Sequence, residues 1–171
     1  MKKKLKFTFC LSTLIVMLMS CSNDAAENKE VHSTKKVALI EKQIGDSDFY
    51  ISVPGDYSIT TSNGPDFSVY YFSPADTSVK GKLTGGLYFG NFPHEFEADN
   101  DSCKIEKLKG KILNNIQDWT VFNCQEDYSI QTITGNEKVE GWNQRIHAFG
   151  NAKNKDDLQL ILDIYSTLRK K

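Results

Sequence analysis

Three histidines, four cysteines and one run of alternating carboxylates are the side chains of this chain best suited to chemistry. The histidines stand far apart: His32 in a polar stretch, His94 after a proline, and His147 in an alternating apolar run. There His147 falls on the opposite face from Ile146 and Ala148 and reads as a satisfied structural residue rather than a base. A Ser, His and Asp gathered by the fold stays open, because such triads are recognised by geometry and not by sequence order. The carboxylates Glu95, Glu97, Asp99 and Asp101 could offer oxygens to a hard cation. An EF-hand loop begun at Asp99 needs glycine in its sixth place and glutamate in its twelfth, and the chain has Lys104 and Gly110 there. The run therefore reads as a solvated acidic loop, with contact to a basic partner surface as its functional reading. No glycine-rich phosphate loop, G-x-S-x-G elbow, H-E-x-x-H or C-x-x-C occurs, so no catalytic residue, metal or cofactor is assigned.

The first twenty positions carry a different chemistry. Lys2, Lys3, Lys4 and Lys6 precede an apolar run from Phe7 to Met19 that is short of the roughly 20 residues a membrane span needs. A basic start, a short apolar stretch and a small residue describe a secretory signal over residues 1–20. Leu18-Met19-Ser20-Cys21 resembles the lipobox of bacterial lipoproteins, with Met19 bulkier than the small residue usual at its place. That resemblance implies that the Cys21 thiol receives a diacylglycerol and that cleavage before Cys21 exposes a new, acylated N-terminus. A plain signal peptide with a chance cysteine and an uncleaved anchor are the competing readings. Residues 21–36, rich in Asn, Asp, Glu and Lys and without apolar periodicity, read as a lipid-anchored flexible tether. Their early acids Asp24 and Glu27 resemble the acidic stretch of surface-exported lipoproteins, and the protein is expected in a bacterial cell envelope, at the outer membrane.

Loss of the leader changes the charge. The full chain of 171 residues has 21 basic and 22 acidic side chains; without the four leader lysines, 17 basic residues face 22 acids, a net charge of −5. Phosphate binding needs a basic face, so nucleic acid is excluded as an expected partner. The cysteine count changes too. Cys10 leaves with the leader and Cys21 takes lipid, which leaves Cys103 and Cys124. In an exported domain, two cysteines most often form a disulfide.

Period-two alternation dominates from Val37 onward and must position whatever these side chains do. Phe49, Ile51 and Val53 alternate with polar residues before the turn Pro54-Gly55-Asp56. Further strand-like runs are 67–72, 86–92, 104–113, 119–124, 128–134 and 142–149. The runs on either side of Asn114 and Asn115 should pair antiparallel and bring Cys103 to Cys124. Thr60 to Asp66 reads as a turn-rich connection. At the C-terminus, Asn154 can cap a helix and Asp157 can answer it, while Leu158, Ile161, Leu162, Tyr165 and Leu168 form an apolar stripe. Arg169, Lys170 and Lys171 would then lie at the negative end of its dipole. Tyr70, Tyr71 and Phe72 are consecutive, so at least one ring must leave the core face. Were only one sheet face covered, Tyr70 and Phe72, or Tyr71, with Tyr88 or Trp119 would form a partner-binding patch.

The runs FYISVPGDYSI and Gly-Gly-Leu-Tyr-Phe-Gly, with the ending WNQRIHAFGNAKNKDDLQLILDIYSTLRK, resemble the PsbP-like superfamily. The resemblance covers roughly residues 47 to 171 and departs from the family at Pro93 to Asp101, short and acidic where a helix is expected. It implies an α+β fold for residues 37–171: an antiparallel β-sheet of six to seven strands flanked by helix, with a C-terminal amphipathic helix. A small β-barrel or sandwich with one helix is the alternative. The resemblance also implies a binding or assembly role without a shared active site. The expected function is a lipid-anchored, non-catalytic protein-binding module, of immunity type if it neutralises a toxin. Glu95, Glu97, Asp99, Asp101, Tyr88 and Phe92 are its candidate contacts. A small envelope hydrolase with a spatially assembled site is the second hypothesis.

Overall fold

The computed structural model describes residues 37–78, 82–98, 102–125, 127–135 and 145–171. The leader, the tether with Cys21, Asp99 and Asp101, and residues 142–144 lie outside the described residues.

Among the described residues, ten strands and one helix follow in the order β1 (Leu39–Gln43), β2 (Phe49–Pro54), β3 (Tyr57–Asn63), β4 (Phe67–Pro74), β5 (Thr84–Gly90), β6 (Lys104–Ile112), β7 (Asn115–Cys124), β8 (Asp127–Gly135), β9 (Arg145–Ala152), α1 (Lys155–Ser166) and β10 (Arg169–Lys170). Seven strands form a wholly antiparallel sheet in the order β3-β4-β5-β9-β8-β7-β6, and β1-β2-β10 form a smaller one. The described residues are compatible with the expected sheet-dominated α+β class.

Alternation decides which face is covered. Leu87 and Phe89 of β5, Ile146 and Ala148 of β9, Ile130 of β8, and Trp119 and Val121 of β7 share one face and are buried. Against them lie Leu158, Ile161, Leu162 and Tyr165 of α1, together with Ile51 and Val53 of β2. Helix and small sheet thus make the second layer over a single core. Tyr165 ties the layers: its hydroxyl accepts from the Gly86 amide at 3.0 Å and reaches the carbonyls of Gly86 (2.8 Å) and Phe149 (2.5 Å). Gly85 and Gly86 make room for rings on the two faces of β5: a Cβ on Gly85 would stand 2.2 Å from the Phe72 ring and one on Gly86 2.5 Å from the Phe149 ring.

The helix begins as its sequence prescribes. Asn154 accepts from the Asp157 amide at 2.8 Å, and its own side-chain amide donates to the Asp157 carboxylate at 2.8 Å. Its end differs from expectation. No basic residue occupies the last turn; after Thr167 the chain straightens, and Arg169 and Lys170 pair with Tyr50 and Phe49 of β2. Arg169 and Lys171 reach Glu41 at 2.7 and 3.4 Å, and Lys171 lies 3.9 Å from the centre of the Tyr50 ring. A neighbouring strand edge and an acid satisfy these cations better than a helix terminus open to water.

Thr60 to Asn63 are not part of a turn but the outer half of β3, where Thr and Ser suit an edge strand facing water. Phe92 lies beyond β5, which stops at Gly90, and β7 starts at Asn115 rather than Trp119. The turn between β6 and β7 is two residues, Leu113 and Asn114, both at positive φ (48° and 64°), the conformation that suits the twist of a tight hairpin. Its register sets Lys104 against Asn123, so Cys103 and Cys124 meet at the open end with Cα atoms 4.3 Å apart and sulfurs at bonding distance.

Candidate functional site

The face of the large sheet turned away from α1 is where the candidate residues gather. Strand order dictates what crosses it. The chain leaves β5 in the middle of the sheet and must reach β6 at the far edge, passing over β9, β8 and β7. Segment 91–98 is the described part of that connection and lies on the open face over β9 and β8. It is held there by Gln131 of β8, whose side-chain amide acts as a substitute peptide group. Gln131 Oε1 accepts from the Phe96 amide at 2.8 Å, and its Nε2 donates to the Phe96 carbonyl at 2.8 Å. The Phe96 ring packs on His147 at 5.0 Å and edge-on to Phe149 at 5.3 Å, and Phe149 meets Tyr71 edge-on at 6.0 Å.

His147 is consequently buried beneath the strap. Its Nε2 lies 3.0 Å from Gln131 Oε1, and because the two bonds to Phe96 fix the amide orientation, that oxygen can only accept. The imidazole is therefore the neutral Nε2–H tautomer. Burial pushes its pKa from 6.5 down to about 4, with the charge of nearby His94 adding to the effect. A proton taken up by the unfolded chain near pH 6.5 is refused by the folded one until about pH 4. This contribution to stability is thus present above pH 6.5 and lost as pH falls toward 4. The expected result is a wild-type unfolding free energy that declines over this window, with a smaller decline in His147→Gln and an imidazole NMR titration centred near 4. A titration centred near 6.5 would place the ring in water and the strap off the sheet.

Beside the strap the sheet opens. The β7–β8 ladder stops at Thr120 opposite Gln131. Beyond it the Thr132 hydroxyl donates to the Asp118 carbonyl at 2.9 Å, and Gln117 Nε2 reaches Thr134 Oγ1 at 3.4 Å. Side chains replace backbone pairing where the strands diverge, and a cleft of about 230 Å³ forms there. Glu95, Lys107, Asp118, Thr120 and Arg145 are among the residues that line it. Charges of both signs meet in it, so it is polar without a dominant field.

The expected contacts divide accordingly. Glu95 and Glu97 are exposed on the strap, and Glu95 borders the cleft rather than standing alone in solvent. Phe92 is 79% exposed. Tyr88 lies on the same face, stacked on Phe67 at 5.5 Å. Of the three consecutive aromatics, Tyr70 and Phe72 turn inward and Tyr71 outward. Trp119 is removed from the patch: it is wholly buried against Tyr165 at 5.1 Å, because its parity on β7 is that of Val121. Sequence reasoning missed Gln131 and Phe96, which build the strap. An amide isolated in an alternating apolar run was the available signal, and its meaning depends on a segment some 35 residues away.

Among the described residues, no group of three or more His, Cys, Asp or Glu side chains is placed to hold a metal, and no helix is long and apolar enough to cross a membrane. The chain matches no protein-family model, no curated protein and no solved structure.

Proposed function

We propose that this chain is a lipid-anchored protein of a bacterial cell envelope, at the outer membrane, whose PsbP-like globular unit binds another protein through the strapped face of the large sheet and performs no chemistry of its own. The observation that carries the reading is the aromatic surface left on that face: Tyr71 and Phe96, each 43% exposed, meet through Phe149, and Phe92 of the same segment as Phe96 is almost bare. Aromatic side chains of this kind are the usual anchors of protein interfaces. The acids of the strap, Glu95 and Glu97, continued in the sequence by Asp99 and Asp101, would steer encounter with a basic partner surface, acting mainly on the association rate. An antiparallel sheet closed by a C-terminal helix supports the PsbP-like assignment, and an immunity-type role fits a module of this kind in the envelope. A hydrolase using His147 as its base would need that imidazole free to take a proton, whereas His147 donates from Nε2 to Gln131 and resists protonation.

The test is site-specific photo-crosslinking in cells. Reactive groups at Tyr71 and Phe92 are expected to give one discrete protein adduct, and the same group at Gln159 or Asp163 on the exposed side of α1 none. Equal adducts from both sides, or none from the strapped face, would overturn the reading. In the same strain Cys21→Ser should abolish lipid labelling and release or strand the precursor; equal labelling of the variant would remove the anchor from the account.

A further inference from the structure

We infer that β6 accepts an extended acidic segment of another protein as an additional strand of the large sheet. β6 ends the strand order, so its far side pairs with no strand among the described residues. In a hairpin closed by a two-residue turn, the residues flanking the turn exchange both backbone bonds, and so does every second pair before them. Glu106, Leu108, Gly110 and Ile112 therefore spend their amides and carbonyls on β7. The backbone groups of Ile105, Lys107, Lys109 and Lys111 point to the free edge. The side chains of these same four residues are exposed on the face away from α1.

Edge and charge thus coincide. Lysines at every second position stand about 7 Å apart along the strand, the spacing of same-face side chains in any strand laid beside it. Residues directly opposite in an antiparallel pair are in contact, so a segment with acids at alternate positions would meet Lys107, Lys109 and Lys111 one by one. Their present partners are weak competitors. Lys109 pairs with Asp118 at 2.6 Å with both side chains more than half exposed, and Lys107 donates to the Thr120 hydroxyl at 2.5 Å.

Lysines on an edge strand also keep edges from joining indiscriminately. Here the row selects: a second copy of β6 would set lysine against lysine, and a basic segment would fare no better. Ile105, 58% exposed, and Ile116, 75% exposed, flank the lysines on the same face and add apolar surface for an incoming strand to cover. The opposite edge, β3, carries no charged residue from Tyr57 to Asn63, so the concentration of charge belongs to β6. The inference concerns a different part of the sheet from Phe92 and stands whether or not the strapped face binds a partner.

The test uses the full chain in detergent and, as probe, a fluorescent peptide of about nine residues alternating Glu and Val, a length typical of strands. Saturable binding that weakens with salt is expected. N-methylation of the peptide amides that face β6 should abolish it, and methylation of the other set should not. Reversing Lys107, Lys109 and Lys111 to Glu should weaken the acidic peptide by about tenfold or more, as three exposed cross-strand pairs imply, and make the chain bind the Lys-Val counterpart. Binding indifferent to which amides are methylated would overturn strand addition with wild-type protein alone. So would absence of peptide binding, or uptake by phosphatidylglycerol vesicles through the same lysines in its place.

Discussion

Trp119→Ala is expected to cost about 3–5 kcal/mol of folding stability, the range for removing a large buried aromatic side chain. The indole is fully buried where β7, β6 and α1 converge. It packs at 5.1 Å on Tyr165, whose hydroxyl in turn holds the Gly86 and Phe149 backbones of β5 and β9. Gly110 of β6 leaves room for the indole: a Cβ there would stand 2.6 Å from Trp119 Nε1 and 2.8 Å from Leu162. Truncation therefore opens a cavity at the junction of sheet and helix and also removes the surface on which Tyr165 is set. One detail sharpens the expectation. Trp119 Nε1 is buried and has no hydrogen-bond partner among the described residues. Trp119→Phe gives up volume but also relieves that unmet donor, and its cost should stay below about 2 kcal/mol. Urea unfolding of the two variants checks both values. A loss below about 1 kcal/mol for the alanine variant would mean that α1 is not fixed to the sheet through this residue.

The second large effect is expected from the disulfide. Replacing Cys103 and Cys124 by serine should lower stability by roughly 3 kcal/mol, the chain-entropy value for a closed loop of this size, whose ends are 21 positions apart. For a folded unit of this length that corresponds to a fall of the melting temperature on the order of 10 °C. The effect should be local as well. The bridge pins the open end of the β6–β7 hairpin, and Cys103 is also where the chain returns from the strap to the sheet. Amides near Lys104 and Asn123 should therefore lose hydrogen-exchange protection before those near Ile112 and Asn115. A melting temperature that does not respond to reductant would contradict this role.

How much of this could be read from the chain follows from what local pattern encodes. Alternation marks β2, β4 and the β6–β7 hairpin because half-buried strands must alternate. Asn154, Asp157 and the stripe through Leu168 marked α1 because capping and periodicity are local properties. β3 was hidden because the edge strand of a sheet has one side in water, and its Thr60-Thr61-Ser62-Asn63 has the composition of a turn. β10 was hidden because Arg169 and Lys170 are extended by pairing with β2, more than a hundred residues earlier in the chain. The site was less legible still. Parity says that Tyr70 and Tyr71 face opposite ways but not which face the helix covers. The strap follows from strand order, which no local pattern specifies. β6 was legible as the strand-like run 104–113; that it stands at the edge, with Lys107, Lys109 and Lys111 on one face, was not.

Hydrogen–deuterium exchange of the full chain, with and without the protein captured by crosslinking at Phe92, tests the central claim most directly. Binding to the strapped face predicts added protection in 91–98 and in the neighbouring β4 and β5, with α1 unchanged. Protection confined to α1, or no change in 91–98, would contradict a partner seated on that face.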